Sequence, residues 1–150
     1  MKKIISTLLV LTIIMSLSAT VFAANEAPSY FHILKGLVEK NFEKQNISCS
    51  VIYNETTNAI EMYVGMVAGT TKYSLKSKQE EVSELWEELK NIFLNSNKAY
   101  YETLKNFDED DNADIVTILV EEINKDNRYN SDDIMLKIVN DKVVYDFLAE

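Results

Sequence analysis

Asp108, Asp110, Asp111 and Asp114 stand within one short stretch, FDEDDNAD, and carboxylates at this spacing are the groups that hold hard divalent cations. With Glu109 the stretch carries five acids in seven positions. A calcium loop of the EF-hand kind needs oxygen ligands at alternate positions, glycine at the sixth and a bidentate glutamate at the twelfth. Counted from Asp108, the sixth residue is Ala113 and the twelfth is Leu119; counted from Asp110, Glu121 falls twelfth but Ile115 takes the glycine position. The EF-hand motif fails. What remains is an open, weak divalent-cation site made by Asp108, Asp110, Asp111 and Asp114, extended by Asp126, Asp132 or Asp133 from the next loop. The simpler reading, that these acids solvate two strand ends, is favoured.

Nucleophilic catalysis needs a base within hydrogen-bond reach of the nucleophile. The chain has one cysteine, Cys49, and one histidine, His32. In NISCSVIYNE, Ile47, Cys49, Val51 and Tyr53 alternate onto one strand face, so the thiol belongs to a core, where an apolar setting makes it inert. A Cys49–His32 dyad would require the thiol to leave that face. Zinc sites need several His or Cys ligands, and one of each is too few. Met62 and Met66 would flank Cys49 and could suit Cu(I), but methionines at strand spacing are usually core filler. Paired carboxylates of the glycosidase type need two particular acids, and nothing among the 24 acids selects a pair. No catalytic residue, cofactor or metal centre is assigned.

The elements that would position these residues begin after an N-terminal leader. MKKIISTLLVLTIIMSLSATVFAA has Lys2 and Lys3, an apolar stretch from Ile4 to about Leu17, and Val21-Phe22-Ala23 as a cleavage pattern. Ser6, Thr12 and Ser16 dilute the stretch, which is short for a retained membrane span. Residues 1–23 are therefore expected to be a signal peptide cut after Ala23, with secretion of the remainder, residues 24–150, as a single domain. Losing Lys2 and Lys3 takes the formal net charge from −9 to −11. Such a surface repels phosphate, so nucleic acid and anionic membrane are not expected partners. The lone cysteine excludes an internal disulfide, so the domain must be held by its core.

Helical spacing of Phe31, Leu34, Leu37, Val38 and Phe42 after Pro28 predicts a first helix over about 29–44. Alternation predicts strands over 47–54 and 59–66, and matching their apolar faces pairs Cys49 with Val64 and Val51 with Met62. SKQE, Ser77 to Glu80, has the spacing of a capping box opening a second helix. Its stripe is Val82, Leu85, Trp86, Leu89, Ile92 and Phe93, resuming at Tyr100, Leu104 and Phe107. Asn95, Ser96 and Asn97 are poor helix formers and predict a kink or split. Ile115 to Val120 is apolar on both faces, which suits a strand inside a sheet. In DIMLKIVNDKVVYDFL a two-residue Asn140-Asp141 turn of type I′ would set Ile138 opposite Val143, Leu136 opposite Tyr145 and Ile134 opposite Phe147.

This ending, an apolar strand, a tight turn and then KVVYD (Lys142 to Asp146), resembles the close of uncharacterised small exported proteins of low-GC Gram-positive bacteria. DIVTILVEEINKDNRYNSDD stands where such chains carry an apolar β segment and a polar loop. Asp141 replaces the glycine usual in those turns, and no lipobox cysteine is present. The resemblance implies export and a C-terminal hairpin, and it supplies no catalytic residue.

The expected fold is α+β and two-layered, with two main helices on a largely antiparallel sheet of about five strands in the order α-β-β-α-β-β-β. The expected function is an exported, non-enzymatic binding or interaction module with an extracellular or cell-surface partner. A small secreted hydrolase using carboxylates and a weak cation-binding protein acting through residues 108–114 are the alternatives.

Overall fold

A computed structural model describes residues 27–28, 30–106, 113–123 and 130–149. Helix α1 (Phe31–Glu43) precedes strands β1 (Cys49–Asn54) and β2 (Ala59–Gly65). Helices α2 (Lys72–Lys76) and α3 (Gln79–Lys105) lead to β3 (Asp114–Val120), and a 3-10 turn (Ser131–Asp133) opens β4 (Ile134–Val139) and β5 (Lys142–Asp146). The strands lie in the order β1-β2-β3-β4-β5. Three neighbouring pairs are antiparallel, while β2 and β3 run parallel because the helices carry the chain back between them. The expected α+β class, the two main helices and the largely antiparallel sheet are all present.

Local chemistry accounts for the first half. Helix α1 buries Phe31, Leu34, Val38 and Phe42 against Val51, Ile60, Met62 and Val64. Its end is a complete Schellman turn: Asn46 takes φ 57°, its N–H reaches Glu43 O at 2.9 Å, and Ile47 N–H reaches Phe42 O at 3.0 Å. Cys49 opposes Val64 and Val51 opposes Met62, the register that face matching requires. Strand β1 is an edge, and α1 seals it at its middle. Glu39 Oε1 accepts from Val51 N at 2.9 Å, while Lys35 Nζ donates to Val51 O at 2.7 Å and to Glu39 Oε1 at 2.7 Å. Two side chains thus stand in for a missing neighbouring strand.

Three expectations about the second half need correction. The capping box lies six residues before SKQE: Thr71 and Ser74 cap α2 reciprocally at 2.9 and 3.1 Å, whereas α3 starts after Lys78 with no side-chain cap. Helix α3 also runs unbroken through Asn95 to Asn97. Asn97 is fully buried and satisfied there, so hydrogen bonding outweighs its weak helix propensity. Leu85, placed on the apolar stripe, is 56% exposed, because contact with the sheet passes through Trp86 instead. Phe107 lies outside the described residues.

The C-terminal hairpin keeps only its first expected pair. Ile138 opposes Val143, but a bulge follows and Lys137 opposes Tyr145 while Leu136 opposes Asp146. Val144 is the extra residue. Positive φ occurs at Asn140 (53°) and not at Asp141, so the turn lacks the second left-handed residue of type I′. The bulge turns Asp146 toward α3, where its carboxylate accepts from Trp86 Nε1 at 2.9 Å and from Lys90 Nζ at 2.6 Å. Trp86 also meets Phe147 edge to face at 5.0 Å.

Candidate functional site

Asp108, Asp110, Asp111 and Asp126 lie outside the described residues, as do residues 1–23, expected from the sequence to be a leader. Asp114 begins β3, and its carboxylate accepts from Asn140 Nδ2 at 2.8 Å. Asp133 sits at the other end of that strand, where its carbonyl accepts from Glu121 N at 3.1 Å. Seven strand residues put about 20 Å between those two ends. Asp132 and Asp133 therefore cannot join Asp114 in one cation site. Among the described residues, no group of three or more His, Cys, Asp or Glu is placed to hold a metal ion.

His32 is exposed on the first turn of α1, its ring edge to face with Phe31 at 5.3 Å. Cys49 is half-buried against the α1 cluster. Burial, and then the Glu39 carboxylate, push its thiol up to about 12, with Lys35 pulling weakly the other way. At neutral pH it is a thiol, not a nucleophile. The buried Tyr100 hydroxyl lies above its ordinary range through burial first and Cys49 second, and it has no hydrogen-bond partner among the described residues. Met62 packs in the same cluster as Cys49, while Met66 packs against the separate cluster around Trp86 and Leu119. The soft-metal set is thus divided.

A cleft of about 510 Å³ opens at the carboxyl ends of β2 and β3, between the Gly65–Thr71 loop, Asn46, Glu122 and Asp133. Glu121, which lines it, accepts from Lys72 N at 2.7 Å. Lys72 Nζ also donates to the Asp132 carbonyl.

A third apolar cluster lies on the face of the sheet turned away from α1 and α3. Ala59, Tyr63, Val116, Ile118 and Val120 form a cluster there, with Ile123, Ile134 and Val139 packed beside them. Unlike the two clusters on the opposite face, this one contains no helix residue among the described residues. Strand pairing explains the assembly: Tyr63 lies beside Ile118, Val116 beside Val139, and Val120 beside Ile134. Polar groups rim it. The Tyr63 hydroxyl donates to Glu61, which also accepts from Asn54 Nδ2 at 3.1 Å, and Lys137 opposes Ile118. An apolar centre with a polar rim is the anatomy of a contact surface. Sequence reasoning had the signal, since Val116, Ile118 and Val120 are apolar on the second face of β3, but read it only as interior burial.

No described helix is long and apolar enough to cross a membrane. Compared with protein families, curated proteins and solved structures, the chain matches none.

Proposed function

We propose that the chain is an exported, non-enzymatic binding module that engages a protein partner through the outer face of its sheet. The observation that carries this reading is the apolar cluster on that face, which no described helix covers. Its central residues are 0–5% exposed, and Ile123, Ile134 and Val139 beside them are half-buried, so a partner would meet this face at that edge. Secretion after cleavage at Ala23 belongs to the same reading, supported by the leader pattern. The excess of acids over bases favours a neutral or basic partner over nucleic acid or anionic lipid. The C-terminal resemblance directs the search to the surface of a Gram-positive cell.

The test is retention of partners by immobilised chain 24–150 from the surface fraction of its own cells. The control is the same chain with Ile134→Lys and Val139→Lys, which charge the half-buried edge of the outer face, checked for unchanged cooperative unfolding. A partner held by the first and released by the second supports the reading. Equal retention by both overturns it.

A further inference from the structure

Strands β2 and β3 are the one parallel pair of the described sheet, and past Gly65 and Val120 their chains part. The space outside the carboxyl ends of parallel strands is where an open sheet leaves a crevice for a ligand. The cleft found there has walls tied by backbone bonds. Met66 N donates to Val120 O at 2.9 Å, Gly65 N to Ser48 O at 2.9 Å, and Glu121 N to Asp133 O at 3.1 Å. Within the Gly65–Thr71 loop, Thr70 N donates to Val67 O at 2.9 Å, and just beyond it Lys72 N is held by Glu121. Gly65 stands where two walls converge, since a Cβ there would come within 3.3 Å of Ser48 Cβ and 3.5 Å of Ile123 Cγ1. A cleft fixed in this way loses little in ordering its own walls when a ligand enters. Its volume, about 510 Å³, is that of a small-molecule site.

We propose that this cleft binds an organic cation, an ammonium or guanidinium group carried on an apolar stem. The described residues that line it include the carboxylates of Glu121, Glu122 and Asp133 and no Lys, Arg or His. Their field repels phosphate and carboxylate ligands and draws cations in. A bare divalent ion is poorly served. Glu121 Oε1 already accepts from Lys72 N, and no three acids among the described residues are placed to hold a metal. Calcium needs about six to eight oxygens. An organic cation needs fewer acceptors and gains from an apolar wall, which Ile47, Met66, Val67 and Ile123 supply. Val67 is 71% exposed, so a stem laid against it removes apolar surface from water. A lysine or arginine side chain of a peptide and a free alkylamine share this chemistry. Ile123 also belongs to the outer-face cluster, but the charge of the cleft and the apolar contact of that face are separate properties, and either can fail alone.

The test is titration of the full chain, followed at its backbone amides by nuclear magnetic resonance. The probes are butylammonium, butyrate, calcium chloride and a short peptide with blocked ends and one lysine. Butylammonium is expected to shift the amides of Gly65 to Thr71 and Glu121 to Ile123 saturably. Butyrate, with a similar stem and the opposite charge, should leave them unmoved. Glu122→Gln with Asp133→Asn removes two charges and keeps the Glu121–Lys72 bond. With its amide spectrum unchanged away from the cleft, this variant should bind butylammonium about tenfold more weakly, each solvent-open charge contributing a few-fold. Saturation by the peptide at lower concentration than butylammonium assigns the cation to a protein side chain, and the reverse order assigns it to a free amine. Equal shifts from butyrate, the same shifts from calcium at equal concentration, undiminished binding by the variant, or no shift from butylammonium or the peptide would each overturn the proposal. The comparison with butyrate needs no variant, and none of these results bears on the outer face.

Discussion

The side-chain amide of Asn97, in the C-terminal half of α3, donates at 2.6 Å to the backbone carbonyl of Asn140 in the last turn of the sheet. The same amide donates to Ile115 O at 2.9 Å, and its oxygen accepts from Thr117 Oγ1 at 2.7 Å. Asn140 in turn exchanges bonds with Ile115, N–H to O at 2.7 Å and Oδ1 from N–H at 2.8 Å. A polar hub therefore fixes α3, β3 and the β4–β5 turn against one another inside an apolar core.

Removing the hub leaves buried groups unpaired, each costing about 1–3 kcal/mol. Asn97→Ala is expected to lower stability by about 3 kcal/mol in urea unfolding. Thr117→Val strands only the Asn97 oxygen and should cost about 1 kcal/mol. Unchanged midpoints for Asn97→Ala would show that the hub contributes nothing.

Lys90 and Asp146 form a charged clamp with side chains only 16% and 8% exposed. Burial alone would raise the Asp146 pKa, but hydrogen bonds from Lys90, Trp86 and Leu148 outweigh it, leaving the carboxyl below its ordinary 3.8. Burial likewise works against the Lys90 charge, and bonds to Asp146 and Glu87 overcome it, raising Lys90 above 10.5. The carboxylate's contribution is present above pH 3.8 and lost as pH falls through its depressed value; the ammonium's is present below 10.5 and lost as pH rises through its raised one. Asp146→Ala should cost about 3 kcal/mol at pH 7, and its deficit relative to the parent should shrink toward pH 2. A deficit independent of pH from 7 down to 2 would assign the loss to packing instead.

Gly36 lies within α1, and a Cβ built there meets no atom within 4 Å. Gly36→Ala should therefore raise stability by about 1 kcal/mol through lower unfolded-state entropy. A loss of stability would mean that the position serves another contact.

Cys49 should react slowly. With its thiol moved from 9.0 to about 12, the thiolate fraction at pH 8 falls about a thousandfold. Labelling by a disulfide reagent at pH 8 should be slow in the folded chain and reach ordinary rates in urea. Rapid labelling of the folded chain would restore it as a nucleophile.

Much of the architecture could be read from periodicity. The β1–β2 register followed because Val51, Ile60, Met62 and Val64 all need the same face, so a slip of one residue would expose them. The β4–β5 register did not, since Val143, Val144 and Tyr145 give a bulge no penalty in the apolar pattern; the decisive partners, Trp86 and Lys90, are far away in sequence. Asn97 misled for the same reason. Its local propensity breaks helices, and the partners that reverse the outcome lie on other elements. The outer face was visible as a second apolar side of β3, yet the pattern of one strand says nothing of which layer lies across it.

The bulge itself is open to crosslinking in a Cys49→Ala background. Lys137→Cys with Tyr145→Cys should form a disulfide readily, because these residues oppose each other. Leu136→Cys with Tyr145→Cys should not. The reverse preference would restore an unbulged hairpin.

Residue-resolved footprinting of chain 24–150, alone and with its retained partner, tests the role of the outer face most directly. Ile134 and Val139, the half-buried edge of that face, should be labelled in the free chain and protected in the complex. Val51, Ile60, Leu119 and Leu136, on the helix side, should stay protected in both. An outer face as protected in the free chain as the helix side, or one that stays labelled when the partner is bound, would refute its assignment as the binding surface.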